Sequence, residues 1–172
     1  MAEKSYTLDI NIGNYKSIKK AEDIFGKLSK EIDKAIDDAL LETGKEIEKH
    51  AHKSLSEYGI GSGEVASSLE LKTSNESIEL IATSDHADFV EFGTGIKGSE
   101  NPHPKPTGWT YDVNNHGDSG WVYCDANNNF HWTAGTESRP FMYKSWRYGS
   151  SIIGSKVTKH LNILMKGAGL WL

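Results

Sequence analysis

The sequence predicts an α+β fold, a small antiparallel sheet packed against a long N-terminal helix and a C-terminal helix. Three observations carry this. Apolar residues recur at spacings of three and four from about Ile18 to Leu55, and again from Met142 to Met165. Between these stretches lie short β-prone runs bounded by Gly, Asn and Ser. A tract from Thr94 to Asp118 holds three of the four prolines and few aliphatics, and reads as a long loop.

The 172 residues suit a single domain, 1–172, with a loop excursion at about 94–119. With 37% hydrophobic and 10% aromatic residues, the composition is that of a folded chain and not of a disordered one. With a formal charge of −5, nothing in the sequence resembles the basic stripe that grips nucleic acid through its phosphates, and an acidic balance is compatible with DNA passing nearby without sticking. One cysteine, Cys124, cannot form an internal disulfide. The polar N-terminus lacks an apolar signal core and no run is long enough to span a membrane, so folding in the cytoplasm is the expectation.

In order along the chain, Leu8, Ile10 and Ile12 alternate with Thr7, Asp9 and Asn11, the period of a half-buried strand. The helix that follows places Phe25, Leu28, Ile32, Ala35 and Ala39 on one face. Its stripe then drifts to Thr43, Ile47, Ala51 and Leu55, with Gly44 a weak point. Unbroken, it spans roughly 57 Å, against about 40 Å for a compact domain of this length. Either it breaks near Gly44 or it overhangs its domain and packs on a neighbour. Strands are expected over Ala66–Thr73 and Ile78–Thr83, joined by Ser74-Asn75-Glu76-Ser77. Ser84 or Asp85 can cap a short helix with Phe89, Val90 and Phe92, and Gly93 suits a left-handed C-cap. After the loop, Gly120–Asp125 and Phe130–Thr133 read as a hairpin turned by Ala126-Asn127-Asn128-Asn129. Pro140 fits the first turn of the last helix. A terminal Leu170-Trp171-Leu172 is expected to dock on the core or on a partner.

Catalytic patterns are weak. Seven histidines lie in different elements without the paired spacing of a zinc site. Asn114-Asn115-His116-Gly117 lacks the second partner that a metal-dependent nuclease requires, and suits a turn. Asp37-Asp38 sits on the charged face of the long helix. There is no nucleophile elbow and no phosphate-cradling glycine loop. No cofactor and no catalysis are expected.

Three blocks resemble a known family. Phe89-Val90-Glu91-Phe92-Gly93-Thr94-Gly95 is similar to the "Y-x-x-x-V-E-F-G-T" signature of the Hong Kong 97-like phage tail-component family. Gly63-Glu64-Val65-Ala66-Ser67-Ser68-Leu69 resembles that family's "T-G-x-L-x-x-S-I" segment, with Glu64 and Val65 as departures. Gly120-Trp121-Val122-Tyr123, then His131-Trp132-Thr133-Ala134-Gly135, then Arg139-Pro140-Phe141-Met142 resemble its hairpin and "G-x-x-x-x-P-F-M" stretch. The resemblance implies a tail-completion or head–tail joining protein of a long-tailed phage, a subunit of a hexameric ring in the virion neck. Its partners would be copies of itself and the adjoining head-connector and tail proteins, with DNA as passing cargo. Gly63, Ser68, Glu91, Phe92, Gly93, Thr94, Gly95, Trp121, Trp132, Gly135, Pro140, Phe141 and Met142 would then hold the fold. Lys97, His103, Trp109, Tyr111 and the terminal Leu170, Trp171 and Leu172 would be candidates for partner contact. The alternatives are a tail terminator or head stopper of the same neck, or a small metal-dependent nuclease or hydrolase using the histidine-rich loop.

Overall fold

The computed structural model describes residues 15–74, 77–116, 119–125 and 127–167. The strand expected over Tyr6–Ile12 and the terminal Leu170–Leu172 lie outside these residues. The elements are α1 (Tyr15–Glu57), α2 (Glu64–Ser67), β1 (Leu69–Ser74), β2 (Ser77–Ala82), α3 (Ala87–Phe92), α4 (Gly95–Glu100), β3 (Trp121–Cys124), β4 (Phe130–Thr133) and α5 (Phe141–Gly167). The class is α+β, as the periodicities imply. The small sheet is divided: β1 pairs with β2, and β3 pairs separately with β4.

Two compact units share these elements. One comprises residues 1–46, 72–79 and 149–172, the other 47–71 and 80–148. α1 runs through Gly44 without a break, so that residue ends no helix. In the first unit Ala35, Ala39 and Thr43 are buried on one face of α1, and the Thr43 hydroxyl is satisfied by donating to the Ala39 carbonyl at 2.8 Å. Phe25, expected in that stripe, is exposed. The same unit ties α1 to α5 through Glu42, whose carboxylate receives Lys156 at 2.7 Å, Lys159 at 3.1 Å and His160 at 2.8 Å.

The second unit holds the apolar core. Ala51 and Leu55 of α1, Val65 and Ala66 of α2, Leu69 of β1, Ala87 of α3 and Phe141 of α5 form one buried cluster, flanked by Ile60, Leu80, Ala82, Val90 and Met142. α2 corrects the expected start of the first strand. Val65 and Ala66 are adjacent in sequence and both buried, which a helical turn allows and an alternating strand with one buried face does not. Gly63 precedes α2 in an extended conformation, and the Ser68 hydroxyl closes it on the Val65 carbonyl at 2.9 Å. The strand then begins at Leu69, and Thr83 donates its backbone N–H to the Ser68 carbonyl at 3.1 Å.

α3 also departs from the expected capping. His86 occupies the cap without a side-chain bond, while the Ser84 hydroxyl accepts the His86 N–H at 3.1 Å. Gly93 does end the helix with a positive φ, but at ψ 170° it lies in the extended mirror region and not in the left-handed helical one. The tract expected as a loop from Thr94 opens with α4. The β3–β4 hairpin is antiparallel, with Val122 opposite Trp132 and Cys124 opposite Phe130, and Asn128 takes the positive φ expected of its turn.

Candidate functional site

The most constrained chemistry in the second unit is the junction of α3, the start of α5 and the loop after α4. Its origin is a capping problem. α5 begins at Phe141 behind Pro140, which has no side-chain acceptor for the free N–H groups of the first turn. Glu91 of α3 supplies one from 51 residues upstream. Its Oε2 accepts the Met142 N–H at 2.9 Å and its Oε1 the Tyr143 N–H at 2.9 Å. A carboxylate at a helix N-terminus also meets the positive end of the helix dipole. The backbone is fastened beside it: Arg139 N–H donates to the Val90 carbonyl at 2.8 Å, and the Ser138 hydroxyl to the Glu91 carbonyl at 2.7 Å.

His103 completes the carboxylate's shell. Both side chains are buried, Glu91 at 6% and His103 at 5% exposure, and Nε2 stands 3.1 Å from Oε1. The Lys105 N–H donates to Nδ1 at 3.0 Å, so Nδ1 is an acceptor and the ring proton on Nε2 points at Glu91. The loop around His103 folds back on α3. Phe92 lies 4.6 Å from the His103 ring and stacks on Trp109 at 5.0 Å, and the Trp109 indole N–H donates to the Gly93 carbonyl at 2.9 Å. The Tyr111 hydroxyl accepts the His103 N–H at 3.3 Å, and the Tyr111 carbonyl accepts the Gly95 N–H at 2.6 Å.

Glycines make these close approaches possible. A Cβ on Gly93 would stand 2.6 Å from the Ser138 nitrogen and 2.7 Å from the Thr136 carbonyl oxygen. One on Gly135 would collide with the Thr94 carbonyl. Between them Thr94 and Thr136 form an antiparallel bridge, N to O at 2.8 and 3.0 Å. The first and third sequence blocks are thus joined backbone to backbone. Gly95 packs under the Trp121 ring, and that ring stacks with His116 at 6.3 Å.

The remaining candidate positions are distributed. Gly63 and Ser68 bracket α2, and Phe141 is fully buried in the core. Lys97 has an exposed side chain and donates its N–H to the Ala134 carbonyl at 3.1 Å. His103, Trp109 and Tyr111 make internal contacts. Trp132 is 64% exposed. Sequence reasoning missed Tyr143, Ser138 and Thr136 because they contribute backbone groups or small hydroxyls, which leave no periodic signal. Pro140 was the available clue, since it starts a helix that it cannot cap.

Elsewhere in this unit, His50 of α1 lies 3.1 Å from the Ser145 hydroxyl and stacks on Tyr148 at 4.6 Å. Ser145 is fully buried and donates to the Phe141 carbonyl at 2.6 Å, which is a packing role. Burial pushes the His50 pKa down, with nearby Lys53 adding to it. In the β3–β4 turn, Asp125 accepts the N–H groups of Asn127 and Asn129 at 2.9 Å each, and His131 stands 3.0 Å away. The Asn129 backbone bond and then the His131 bond hold its pKa at about 2. Among the described residues no three His, Cys, Asp or Glu side chains are placed to share a metal ion, and no helix is long and apolar enough to cross a membrane.

Residues 19–93 match the family model described as "Bacteriophage HK97-gp10, putative tail-component". The match starts in α1 and ends at Gly93; it takes in the Gly63–Leu69 block and Phe89 to Gly93 of the signature block, a little under half of the chain. No curated protein and no solved structure matches the chain.

Proposed function

We propose, from the match of residues 19–93 to a family of phage tail components, that this chain is a structural virion protein that completes the tail or joins it to the head. The reading is of a ring subunit in the neck around the DNA channel. It contacts copies of itself and the neighbouring connector and tail proteins, and performs no catalysis. The observation that carries it is the family match itself. The geometry adds a reason to read the signature as scaffold: Glu91 caps α5, Gly93 permits a close backbone crossing, and Thr94 bridges Thr136. Each polar group of the signature that would attract a catalytic reading is already engaged in holding the fold.

The test is a phage lacking this gene. The expected lysate contains filled heads and separate tails, with infectious titre reduced by several orders of magnitude and restored by the gene in trans. Joined, infectious particles without the protein would refute the proposal. Cryo-electron microscopy of the neck then assigns layer and stoichiometry, which separates a joining subunit from a tail terminator or a head stopper.

A further inference from the structure

Where α1 meets α5 in the second unit, a titratable ring sits in a contact that suits its neutral form. His50 has its Nδ1 3.1 Å from the Ser145 hydroxyl and its ring flat on Tyr148, 4.6 Å between centroids and 17° between planes. The Ser145 hydroxyl is fully buried and already gives its proton to the Phe141 carbonyl at 2.6 Å. It can therefore only accept from His50, so Nδ1 carries the ring proton and Nε2 is the bare nitrogen. Ser54, also buried, places a second neutral hydroxyl 3.5 Å from the same Nδ1. The charged groups around the ring are mostly cations. On α1, Lys53 lies one turn further on, paired with Glu57 at 3.7 Å. On α5, Lys144 precedes Ser145, donates to the Tyr58 hydroxyl and lies 4.9 Å from the Tyr58 ring centroid. Burial first, then Lys53 and Lys144, oppose a second proton on His50, while Glu57 favours it; the balance holds its pKa below the ordinary imidazole value of 6.5.

We propose that His50 is a proton-operated catch: neutral, it fastens α1 to the first turns of α5, and protonated at Nε2 it lets that contact open. The proton adds a third cation to Lys53 and Lys144 in a contact that has replaced part of the ring's water by Tyr148 and two hydroxyls. The sign follows from linkage. The folded chain binds this proton less readily than the unfolded one, so the contact is at full strength above pH 6.5 and weakens as the pH falls below it through the lowered folded value. The response is local. Glu91 still accepts the Met142 and Tyr143 N–H groups, so the start of α5 keeps its cap while its side towards α1 is released. It is also separate in pH from the Glu42 tie, which is lost only between about pH 4.5 and pH 2.

The test follows the histidine and Tyr148 ring signals of the full chain by NMR from about pH 8 to about pH 5, the range in which imidazoles titrate. The His50 ring should titrate below 6.5. The Tyr148 ring shifts and the hydrogen-exchange protection factors of the Ser145 and Tyr148 amides should change with the same midpoint, protection falling severalfold on the acid side. In His50→Gln, which keeps a neutral donor at this position, those amides should hold their protection across the whole range. Titration of His50 at or above 6.5 overturns the proposal, as do Tyr148 signals and amides that ignore the titration, or a His50→Gln variant that loses protection as the parent does. Lys53→Gln, at a side chain 74% exposed, retains the ring and its partners and keeps the test decisive should His50→Gln not fold. It should move the His50 midpoint upward, and an unmoved midpoint overturns the proposal.

Discussion

At the residue scale, Glu91 concentrates more of the fold's polar chemistry than any other side chain at the α3–α5 junction. It accepts two amide protons of α5 and the Nε2 proton of His103 inside a buried site. Removing one partner of such a set leaves the others without a partner in a low-dielectric site. Glu91→Ala is expected to cost roughly 3 kcal/mol in urea unfolding, and His103→Ala about 1–2 kcal/mol, because the carboxylate then keeps both backbone donors. Equal losses for the two variants would contradict this ordering. Gly93→Ala probes the neighbouring constraint. Its φ of 78° with ψ of 170° and a Cβ only 2.6 Å from the Ser138 nitrogen leave no unstrained solution. A loss of roughly 3 kcal/mol is expected from strain and overpacking together, read as a fall in Tm of about 10 °C. Only part of this junction was legible in the sequence, which passed over Thr136, Ser138 and Tyr143. Gly93 and Pro140 stood out as helix punctuation. That Glu91 caps a helix 51 residues away has no local signature, because its partners are backbone amides that every sequence possesses.

At the element scale, the legible features were those written in periodicity. The stripe through Ala35, Ala39, Ala51 and Leu55 is buried as its spacing implies, and the hairpin strands fall within a residue of their expected bounds. α2 and α4 were not legible. Each is shorter than two turns, too brief for a helical period to register, and α4 begins with glycine. α1 was ambiguous because Gly44 weakens a helix without forbidding it. Helical glycines give a prediction of their own. A Cβ at Gly26 of α1 or Gly154 of α5 would meet no neighbouring atom within 4 Å. Gly26→Ala and Gly154→Ala should each stabilise their helix by about 0.8–1 kcal/mol, seen as increased ellipticity at 222 nm and a higher Tm. Acid should act on the tie between α1 and α5. Hydrogen bonds from Lys156, His160 and Lys159 lower the Glu42 pKa from 4.5 to about 2. A carboxylate depressed in the folded state stabilises fully above its unfolded value, and that stabilisation is lost as the pH falls through the folded one. The tie is therefore intact at neutral pH and lost between about pH 4.5 and pH 2. Glu42→Gln should flatten the stability profile in that window, and an unchanged acid limb would show that the tie contributes nothing.

At the scale of the whole molecule, charge bears on the proposed place of the protein around a DNA channel. The chain carries 24 acidic and 19 basic residues. Non-specific affinity for duplex DNA comes almost entirely from phosphates neutralised by Lys and Arg with release of counterions. Part of the cationic complement is internally engaged: Lys156 and Lys159 both hold Glu42, and Lys144 donates to the Tyr58 hydroxyl. A subunit lining a conduit has reason to bind its cargo poorly, since every retained phosphate contact would oppose passage of the next. A basic channel clamp would instead show the steep salt dependence of a polyvalent cation. The full chain is accordingly expected to leave fluorescein-labelled duplex DNA unshifted at 0.1 M salt up to protein concentrations of about 10 µM, where ordinary non-specific binders already associate. Binding at that concentration, lost on raising the salt to 0.2 M, would mean that clustered cations outweigh the net charge. The role would then move from passive conduit to DNA retention.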